Sequence, residues 1–459
     1  MRDDTRPPGT RHPTAAVLAL VLLGMATACG NEGAAPAQDT RAQDPRLNLV
    51  VFVFDAARAD HFGAYGYERA TTPHVDAFAA RATRFDQAVS DASFTFASIS
   101  ALFTGLPPDR TGLLKARRLG ARLPLLAVVA SESGYRTHGY SENPYVSSHF
   151  GFDRGFDEFE TTLGYRDWKR DTRDFSHSDS STGIDSLLDF MVGSPEPFFS
   201  YAHVLRPHNP FSPPEDFAGR FGSRHRERDG STQALFAIDK QKRRIAQPRL
   251  DNIRSLYDEN LAAADATFGS LIRGMTERGL LENTVIVVLA DHGEGFLEHG
   301  RLLHGSTPFD EMIRIPLLVY VPGEAPAEVD SPVQLAELGA RLGELARGTI
   351  TASELVPLLA EGADETLSWA MLHEHRASVR TPTRKLIVDT ERFEAIGYYD
   401  LEADPGEQKP LAMDSEGERL LALALARIRA GHASLARPPA TDIDPQVLEQ
   451  IRALGYVED

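Results

Sequence analysis

The stretch LNLVVFVFD at residues 47–55 is apolar at almost every position and ends in an aspartate. Continuous hydrophobicity of this kind, without alternation, is typical of a strand buried on both faces of a parallel sheet. A second run, TVIVVLAD at 284–291, has the same form. Just before it, residues 251–278 carry apolar side chains at helical spacing, and Gly279 predicts the helix end. This alternation of helix and strand predicts an α/β fold with a mostly parallel central sheet.

The rest of the chain adds weaker signals. Further candidate strands lie at 198–202 and 315–321. Residues 222–248 are charged and irregular, which indicates either a surface insertion or a lid that meets an anionic substrate. Residues 365–435 contain the strand-like runs 385–389 and 398–401 and predict a small second subdomain.

Composition narrows the class of protein. Hydrophobic residues make up 42% and charged residues 25% of the 459 positions, which are ordinary values for a globular protein. The formal net charge is −18. We therefore expect no nucleic-acid partner, because binding to phosphate backbones requires clustered lysine and arginine.

The N-terminus predicts export. Three arginines precede the apolar run 15–28, which is shorter than the ~20 residues that a membrane-spanning helix needs. The only cysteine of the chain, Cys29, follows directly. The pattern resembles a bacterial lipoprotein signal: 1–28 would be removed, Cys29 would carry lipid, and 29–45 would be a flexible tether at the membrane of the bacterial cell envelope (periplasm or outer membrane). A plain signal peptide with an incidental cysteine is the alternative.

Two strand-end aspartates suggest a metal site. Ligands of open parallel sheets bind at the carboxyl ends of the strands, where Asp55 and Asp291 stand, and His292 comes next. A single aspartate after a strand is commonly only a turn or helix-capping residue. Two of them, with an imidazole beside one, supply the oxygen and nitrogen ligands that a divalent cation accepts.

Thr95 is a candidate nucleophile. Residues 96–104 have helical apolar spacing and Gly105 closes them, so Thr95 lies near a helix N-terminus, which favours negative charge. A hydroxyl is a weak nucleophile, but one bound to a cation can lose its proton near neutral pH. The simpler interpretation is that Thr95 only caps the helix.

A series of short motifs resembles the sulfatase branch of the alkaline-phosphatase superfamily. In chain order they are NLVVFVFD (48–55), RAD (58–60), GAYGY (63–67), TP (72–73), LFTG (102–105), GYRT (134–137), GFD (155–157), PHNPFSPP (207–214), DHGE (291–294), EHG (298–300), RIP (314–316) and YDLEADPGE (399–407). The resemblance implies an α/β/α sandwich with a small C-terminal subdomain of short antiparallel sheet and helix. It implies a catalytic domain at 46–330, with the rest of the fold and the subdomain at 331–459.

The resemblance also implies a metal centre. Asp55, Thr95, Asp291 and His292 would bind one divalent cation, whose identity among Ca²⁺, Mn²⁺, Zn²⁺ and Mg²⁺ is open, as is the presence of a second cation. Thr95 falls at the position of the family nucleophile. The partner implied is an anionic ester substrate.

Further histidines and one asparagine complete the candidate site. By the resemblance, His208 and His304 would contact the substrate oxyanion or act as the acid toward the leaving group. Asn143 lies in the segment SENP (141–144) that replaces the family's Gly-Lys-Trp-His and is a candidate substrate contact. His203 and His299 are further candidates for the same role, although each is also explained as an ordinary paired histidine.

Departures from the family pattern change the expected chemistry. Sulfatases carry a cysteine or serine, matured to formylglycine, at the position of Thr95, and threonine cannot form that aldehyde. Ala56 replaces the second aspartate of the usual pair, Ile99 replaces the motif's arginine, and the lysine expected before 307–310 is absent. Threonine is the nucleophile of the phosphodiesterase, phosphoglycerol-transferase and phosphoethanolamine-transferase relatives. The sequence thus favours a metal-dependent hydrolase or transferase of phosphoesters; sulfate-ester hydrolysis without formylglycine and a non-catalytic binding lipoprotein are the alternatives.

Overall fold

The computed structural model describes residues 46–162, 180–194, 197–241, 245–370 and 375–435. The strands of this part of the chain are β1 Asn48–Asp55, β2 Thr83–Phe85, β3 Ala88–Val89, β4 Arg136–Ser141, β5 Glu158–Thr161, β6 Phe198–Pro207, β7 Thr284–Ala290, β8 Gly295–Phe296, β9 Leu302–Leu303, β10 Leu317–Tyr320, β11 Glu328–Val329, β12 Val333–Gln334, β13 Thr366–Ala370, β14 Arg376–Arg380, β15 Arg384–Asp389 and β16 Glu394–Asp400. Its α-helices are α1 Pro73–Ala79, α2 Thr95–Thr104, α3 Pro108–Thr111, α4 Leu126–Glu132, α5 Ser180–Gly193, α6 Arg226–Asp229, α7 Thr232–Gln241, α8 Gln247–Glu277, α9 Asp310–Ile313, α10 Leu335–Arg347, α11 Ala352–Ala360 and α12 Ser415–Leu435.

The central sheet has eight strands in the order β11-β2-β10-β7-β1-β6-β4-β5. Strand β1 is buried at every position and pairs in parallel with both β6 and β7. Strands β4 and β5 continue the parallel arrangement, whereas β10 runs antiparallel to β7. The prediction of a mostly parallel central sheet is therefore confirmed, and β1 and β7 lie where the two apolar runs placed them.

Helices cover both faces of this sheet. Phe268 of α8 packs on Phe52 of β1 with ring centroids 5.2 Å apart. On β6, Tyr201 is in register with Val51, whose side chain points to the opposite face from Phe52. Phe103 of α2 packs on Tyr201, with centroids 4.9 Å apart. Helices α8 and α2 therefore lie on opposite faces, which gives the expected α/β/α layers.

The C-terminal segment forms a four-stranded antiparallel sheet, β13-β14-β15-β16, followed by α12. Backbone hydrogen bonds join it to the loop before α2: Trp369 N donates to Asp91 O (2.9 Å) and Ser93 N donates to Trp369 O (2.9 Å). Lys385, which is buried, also forms ion pairs with Asp310 and Glu407. The small sheet thus supports the loop that leads into α2.

Some details differ from the sequence-based expectations. Strand β6 extends to Pro207, because the chain continues to pair with β1 beyond the apolar run, with a shift of register between Phe54 and Asp55. The stretch 222–248 is not irregular where it is described: it contains α6 and α7, and Leu235 and Ile238 are buried in a cluster with Phe296. No helix among the described residues is long and apolar enough to cross a membrane.

Candidate active site

Thr95 is the first residue of α2, and its hydroxyl does not cap that helix. The capping position belongs to Phe94, which has an extended backbone, and no side-chain capping bond is formed. Instead, Thr95 Oγ1 lies 3.2 Å from His292 Nε2 and accepts a hydrogen bond from Asn143 Nδ2 at 3.3 Å. The interpretation of Thr95 as a plain helix cap is therefore wrong. Its hydroxyl points into a cluster of polar side chains at the carboxyl ends of the strands.

The two strand-end aspartates each leave one oxygen unpaired. Asp291 Oδ1 accepts hydrogen bonds from the backbone N–H groups of Ala56 (2.9 Å) and His292 (2.8 Å). Asp291 Oδ2 and Asp55 Oδ1 are buried without a hydrogen-bond partner among the described residues. Unpaired buried carboxylate oxygens are costly unless a cation or proton compensates them. This pair of oxygens is what a bound divalent cation would satisfy.

The distances from His292 Nε2 to its two polar neighbours, Thr95 and Asp291, fit ligands of one small metal ion. His292 Nδ1 lies 2.8 Å from Gly293 O and donates to it, so Nε2 keeps its lone pair. Nε2 lies 3.2 Å from Thr95 Oγ1 and 3.4 Å from Asp291 Oδ2. Ligands about 2.0–2.1 Å from a tetrahedral centre are about 3.3–3.4 Å apart, which is this spacing.

A glycine allows the turn that carries His292. A β-carbon at Gly293 would lie 2.2 Å from Glu311 O, so only glycine permits the backbone to approach this closely. Gly293 N also donates to Met312 O at 2.9 Å, which fixes the turn against the segment that contains α9. The sequence DHG therefore holds the imidazole of His292 at the end of β7.

A second histidine lies on the other side of Asp55. His203 Nε2 is 3.0 Å from Asp55 Oδ2, and its Nδ1 is 2.9 Å from the hydroxyl of Tyr201. Asn143 Nδ2 donates to the same Asp55 oxygen. Ligand atoms of Asp55, His203 and Asp291 all lie within 4.8 Å of one another. His203 therefore lies beside the predicted metal ligands Asp55 and Asp291, where it can orient Asp55 or serve as a further ligand.

His208 and His304 stand next to His292. The His304 ring centroid is 4.4 Å from that of His292 and 4.9 Å from that of His208. His208 Nδ1 lies 2.6 Å from the backbone oxygen of Asn209, and His304 Nδ1 lies 3.2 Å from Glu294 Oε1. The two histidines named as candidate acids thus share one wall of the site with His292.

Burial and neighbouring charges shift the titration of these groups. Burial lowers the pKa of His292 to about 4, which keeps its imidazole neutral. Burial also disfavours the charged form of Asp55, but the charges of His208 and His203 outweigh it and hold the pKa of Asp55 well below its usual range. Burial, reinforced by the charge of Asp55, raises the pKa of Asp291. Asp55 is therefore held in its ionised form, whereas the ionised form of Asp291 is unfavourable and would be stabilised by a cation.

His299 is not brought into this cluster. Its Nδ1 lies 2.9 Å from Glu311 Oε1 and its Nε2 lies 3.0 Å from Glu407 O, while its ring stacks on Phe309. These contacts connect the loop between β8 and β9, which carries His299, to Glu311 and to Glu407 of the C-terminal segment. Cys29, the candidate lipidation site, lies outside the described residues.

Two residues of the site were not singled out from the sequence. Tyr201 contacts His203. The sequence could have indicated this contact, because residues two apart in a strand lie on the same face. Glu294 contacts His304 and stands inside the DHGE motif, but a motif alone does not show which of its members face a ligand.

Solved structures share this fold. A 2-O GAG sulfatase matches with a TM-score of 0.66 and 20% identity, covering 88% of this chain and 96% of its own. The phosphonate monoester hydrolase of Agrobacterium radiobacter matches with a TM-score of 0.63 and 21% identity, covering 84% and 96%. At these identities the likeness concerns the fold alone.

Sequence comparison agrees along most of the chain. The Delta 4,5-hexuronate-2-O-sulfatase of Bacteroides thetaiotaomicron is 24% identical over 426 residues, covering 82% of this chain and 86% of the relative. The arylsulfatase of Clostridium perfringens is 22% identical over 446 residues, covering 80% and 91%. Residues 47–349 match the Sulfatase family model, and the chain therefore belongs to the sulfatase family within the alkaline-phosphatase superfamily.

Proposed function

We propose that this protein is a metal-dependent hydrolase or transferase that cleaves phosphate-type esters through Thr95. The observation that carries the proposal is the position of Thr95 Oγ1. It lies at the N-terminus of α2, 3.2 Å from His292 Nε2, which is itself 3.4 Å from the unpaired Asp291 Oδ2. Asn143 Nδ2 donates to both Thr95 Oγ1 and Asp55 Oδ2 and so joins the hydroxyl to the second aspartate. A hydroxyl placed among such groups is suited to attack an electrophilic centre.

Asp55, Thr95, Asp291 and His292 would hold one divalent cation. When bound, the cation would supply positive charge that stabilises the deprotonated hydroxyl and the ester oxygens. An O,O,O,N ligand set suits Ca²⁺, Mn²⁺, Zn²⁺ or Mg²⁺ with different preferences, so the identity of the cation is left to experiment.

The remaining side chains have assignable tasks in this reaction. Oγ1 of Thr95 would form a bond to phosphorus while the bond to the ester oxygen breaks, and the phosphoryl group would then pass to water or another hydroxyl. Asn143 Nδ2, which donates to both Thr95 Oγ1 and Asp55 Oδ2, holds the nucleophile beside the carboxylate. His208 and His304 on the adjacent wall would bind an ester oxygen or protonate the leaving group.

Departures at the sulfate-binding positions favour phosphorus over sulfur. Ile99, where the sulfatase motif has arginine, is fully buried in the apolar core and supplies no charge. Thr95 cannot be oxidised to formylglycine. The names of the relatives nevertheless support a second candidate, sulfate-ester hydrolysis without formylglycine. Ala56 and Ile99 are the observations that favour a third, a binding protein without turnover.

A panel of esters separates these candidates. We expect the purified protein, loaded with Mn²⁺, Zn²⁺ or Ca²⁺, to cleave an aryl phosphoester at least roughly 10-fold faster than the matching aryl sulfate, a difference of about 1.4 kcal/mol in barrier. Initial rates with an aryl phosphodiester, a phosphomonoester and a sulfate ester give the answer. Preference for the sulfate would establish the second candidate. Cation binding without turnover of any ester would establish the third.

We also propose that the protein is exported and anchored in the bacterial envelope by lipid on Cys29. The support is the short apolar run followed by the only cysteine of the chain. In cells that express the full chain and are fed an alkyne-tagged fatty acid, wild type should acquire the tag and fractionate with membranes. The Cys29→Ala variant should acquire none; equal labelling of both proteins would refute the anchor.

A further inference from the structure

Glu294 is a buried residue that lies behind His304 and has no role in the proposed reaction. Glu294 is fully buried, and its backbone is fixed on both sides: its N–H donates to Glu311 O at 2.9 Å, and its carbonyl accepts from Arg58 Nη1 at 3.1 Å. Both carboxyl oxygens face His304 Nδ1, at 3.2 and 3.3 Å. Burying a carboxyl group is costly, because burial disfavours its charged form, so a buried one calls for a structural or functional explanation. Here burial raises the pKa of Glu294 to about 8.

The backbone before His304 supports an imposed orientation. Leu303 has a φ of 67°, in the left-handed region that a branched residue avoids. It pairs with Gly295 in the two-stranded sheet of β8 and β9, which brings the residue after it next to Glu294. The chain therefore accepts local strain at the position that directs His304 inward.

The neighbours of His304 define where its ring must lie. Its centroid is 4.4 Å from the His292 ring, whose Nε2 contacts Thr95, and 4.9 Å from the His208 ring. A rotation of the His304 side chain would carry its nitrogens away from this wall of the site. The hydrogen bond between Nδ1 and Glu294 restricts the ring to one rotamer, and its loss would remove that restriction.

We propose that Glu294 is a positioning residue that, through His304 Nδ1, fixes the imidazole of His304 in one orientation beside His292 and His208. The proposal rests on the proposed function for its catalytic consequence, because it assumes that His304 acts on the ester. It assigns the effect to the hydrogen bond itself. Either direction of that bond, from the imidazole or from the carboxyl group, holds the same ring orientation.

Two substitutions separate the hydrogen bond from the ionisable group and from packing. Glu294→Gln keeps the size of the side chain and an acceptor oxygen but removes the ionisable carboxyl group. Glu294→Met keeps a similar volume but removes the acceptor. We expect Glu294→Gln to keep kcat within about 5-fold of wild type and Glu294→Met to lower kcat by about 100-fold with little change in KM, the scale of lost acid catalysis.

A double variant tests whether Glu294 acts through His304. We expect Glu294→Met combined with His304→Gln to be no slower than His304→Gln alone. Once the imidazole is gone, Glu294 has no ring left to hold, so its loss should cost nothing more. Multiplied losses would overturn the proposal. Equal damage from Glu294→Gln and Glu294→Met would also overturn it, because the effect would then belong to the ionisable carboxyl group rather than to the hydrogen bond. Wild-type activity of Glu294→Met would overturn it as well.

The matched control is Asp265→Asn. Asp265 is also a buried carboxyl group whose pKa is raised by burial, to about 7, but its oxygens accept from the backbone of His74 and Val75 at the start of α1. Among the described residues, the hydrogen bonds of its carboxyl group go to the start of α1 and not to the candidate site. Its substitution should leave kcat and KM unchanged, which shows that loss of a buried carboxyl group alone does not reproduce the effect.

Crystal structures of wild type and the two Glu294 variants supply a readout that does not depend on turnover. The His304 ring should keep its rotamer in wild type and in Glu294→Gln and should rotate or lose order in Glu294→Met. An unmoved ring in Glu294→Met would overturn the proposal whatever the kinetics show. If wild type cleaves no ester, the proposed function fails, and this structural comparison still decides the role of Glu294.

Discussion

Thr95→Ala is expected to lower kcat by about 10⁴–10⁶-fold, the range seen when an enzyme loses its nucleophile and only binding and charge stabilisation remain. Oγ1 is the atom of this side chain that contacts His292 Nε2 and Asn143 Nδ2, so alanine would remove both the proposed reacting atom and a proposed ligand for the cation. Thr95→Ser restores the oxygen but not the methyl group that restricts its rotamer. We expect it to recover a measurable part of the activity.

Steady-state kinetics with the best ester of the panel measures this effect. Rapid quenching followed by mass spectrometry of the peptide that contains Thr95 should show a phosphoryl adduct in wild type. Ser100→Ala is the matched control, because Ser100 Oγ is also a buried hydroxyl of α2 but has no hydrogen-bond partner among the described residues. Turnover by Thr95→Ala within about 3-fold of wild type, a difference of less than 1 kcal/mol, would show that another group attacks the ester.

The parts of the fold that could be predicted from the sequence are those that local patterns determine. The apolar runs became β1 and β7, and their parallel register, with Phe54 opposite Ala290, necessarily puts the following residues Asp55 and Asp291 side by side. This rule about strand ends was enough to predict that the two aspartates lie together, whereas the full set of predicted metal ligands also needed the family resemblance. The helix before β7 was also predictable, and it ends just before Gly279, whose φ is 67°.

The parts that could not be predicted depend on contacts between distant segments. Helix α7 forms in a charged stretch because Leu235 and Ile238 bury against Phe296, about 60 residues further along, and local propensity carries no information about that partner. The contact of His203 with Asp55 likewise requires the pairing of β1 with β6. For His299 the same limit had the opposite result: its motif made it a candidate for substrate binding, but its ring stacks on Phe309 and contacts Glu311.

Asp291→Asn is expected to stabilise the metal-free protein and to remove its response to divalent cations. Burial and the charge of Asp55 raise the pKa of Asp291, so the ionised carboxylate is unfavourable in the folded protein without a cation. Asparagine can keep the Oδ1 acceptor for the N–H groups of Ala56 and His292 and put a donor in place of the unpaired Oδ2. Because the folded pKa is raised above the unfolded value of 3.8, the advantage of asparagine should shrink as pH falls toward 4.

Urea unfolding with a chelator, and then with increasing Mn²⁺ or Zn²⁺, separates the two effects. Wild type should gain about 2.7 kcal/mol of unfolding free energy at a cation concentration 100 times its Kd, and Asp291→Asn should gain almost none. Asp265→Asn, whose carboxyl group lies away from the site, should respond to the cation as wild type does. An Asp291→Asn variant that still gains the full stabilisation would place the cation elsewhere. His203 and Asp55 would then be the groups to substitute, since their ligand atoms lie close enough to share an ion.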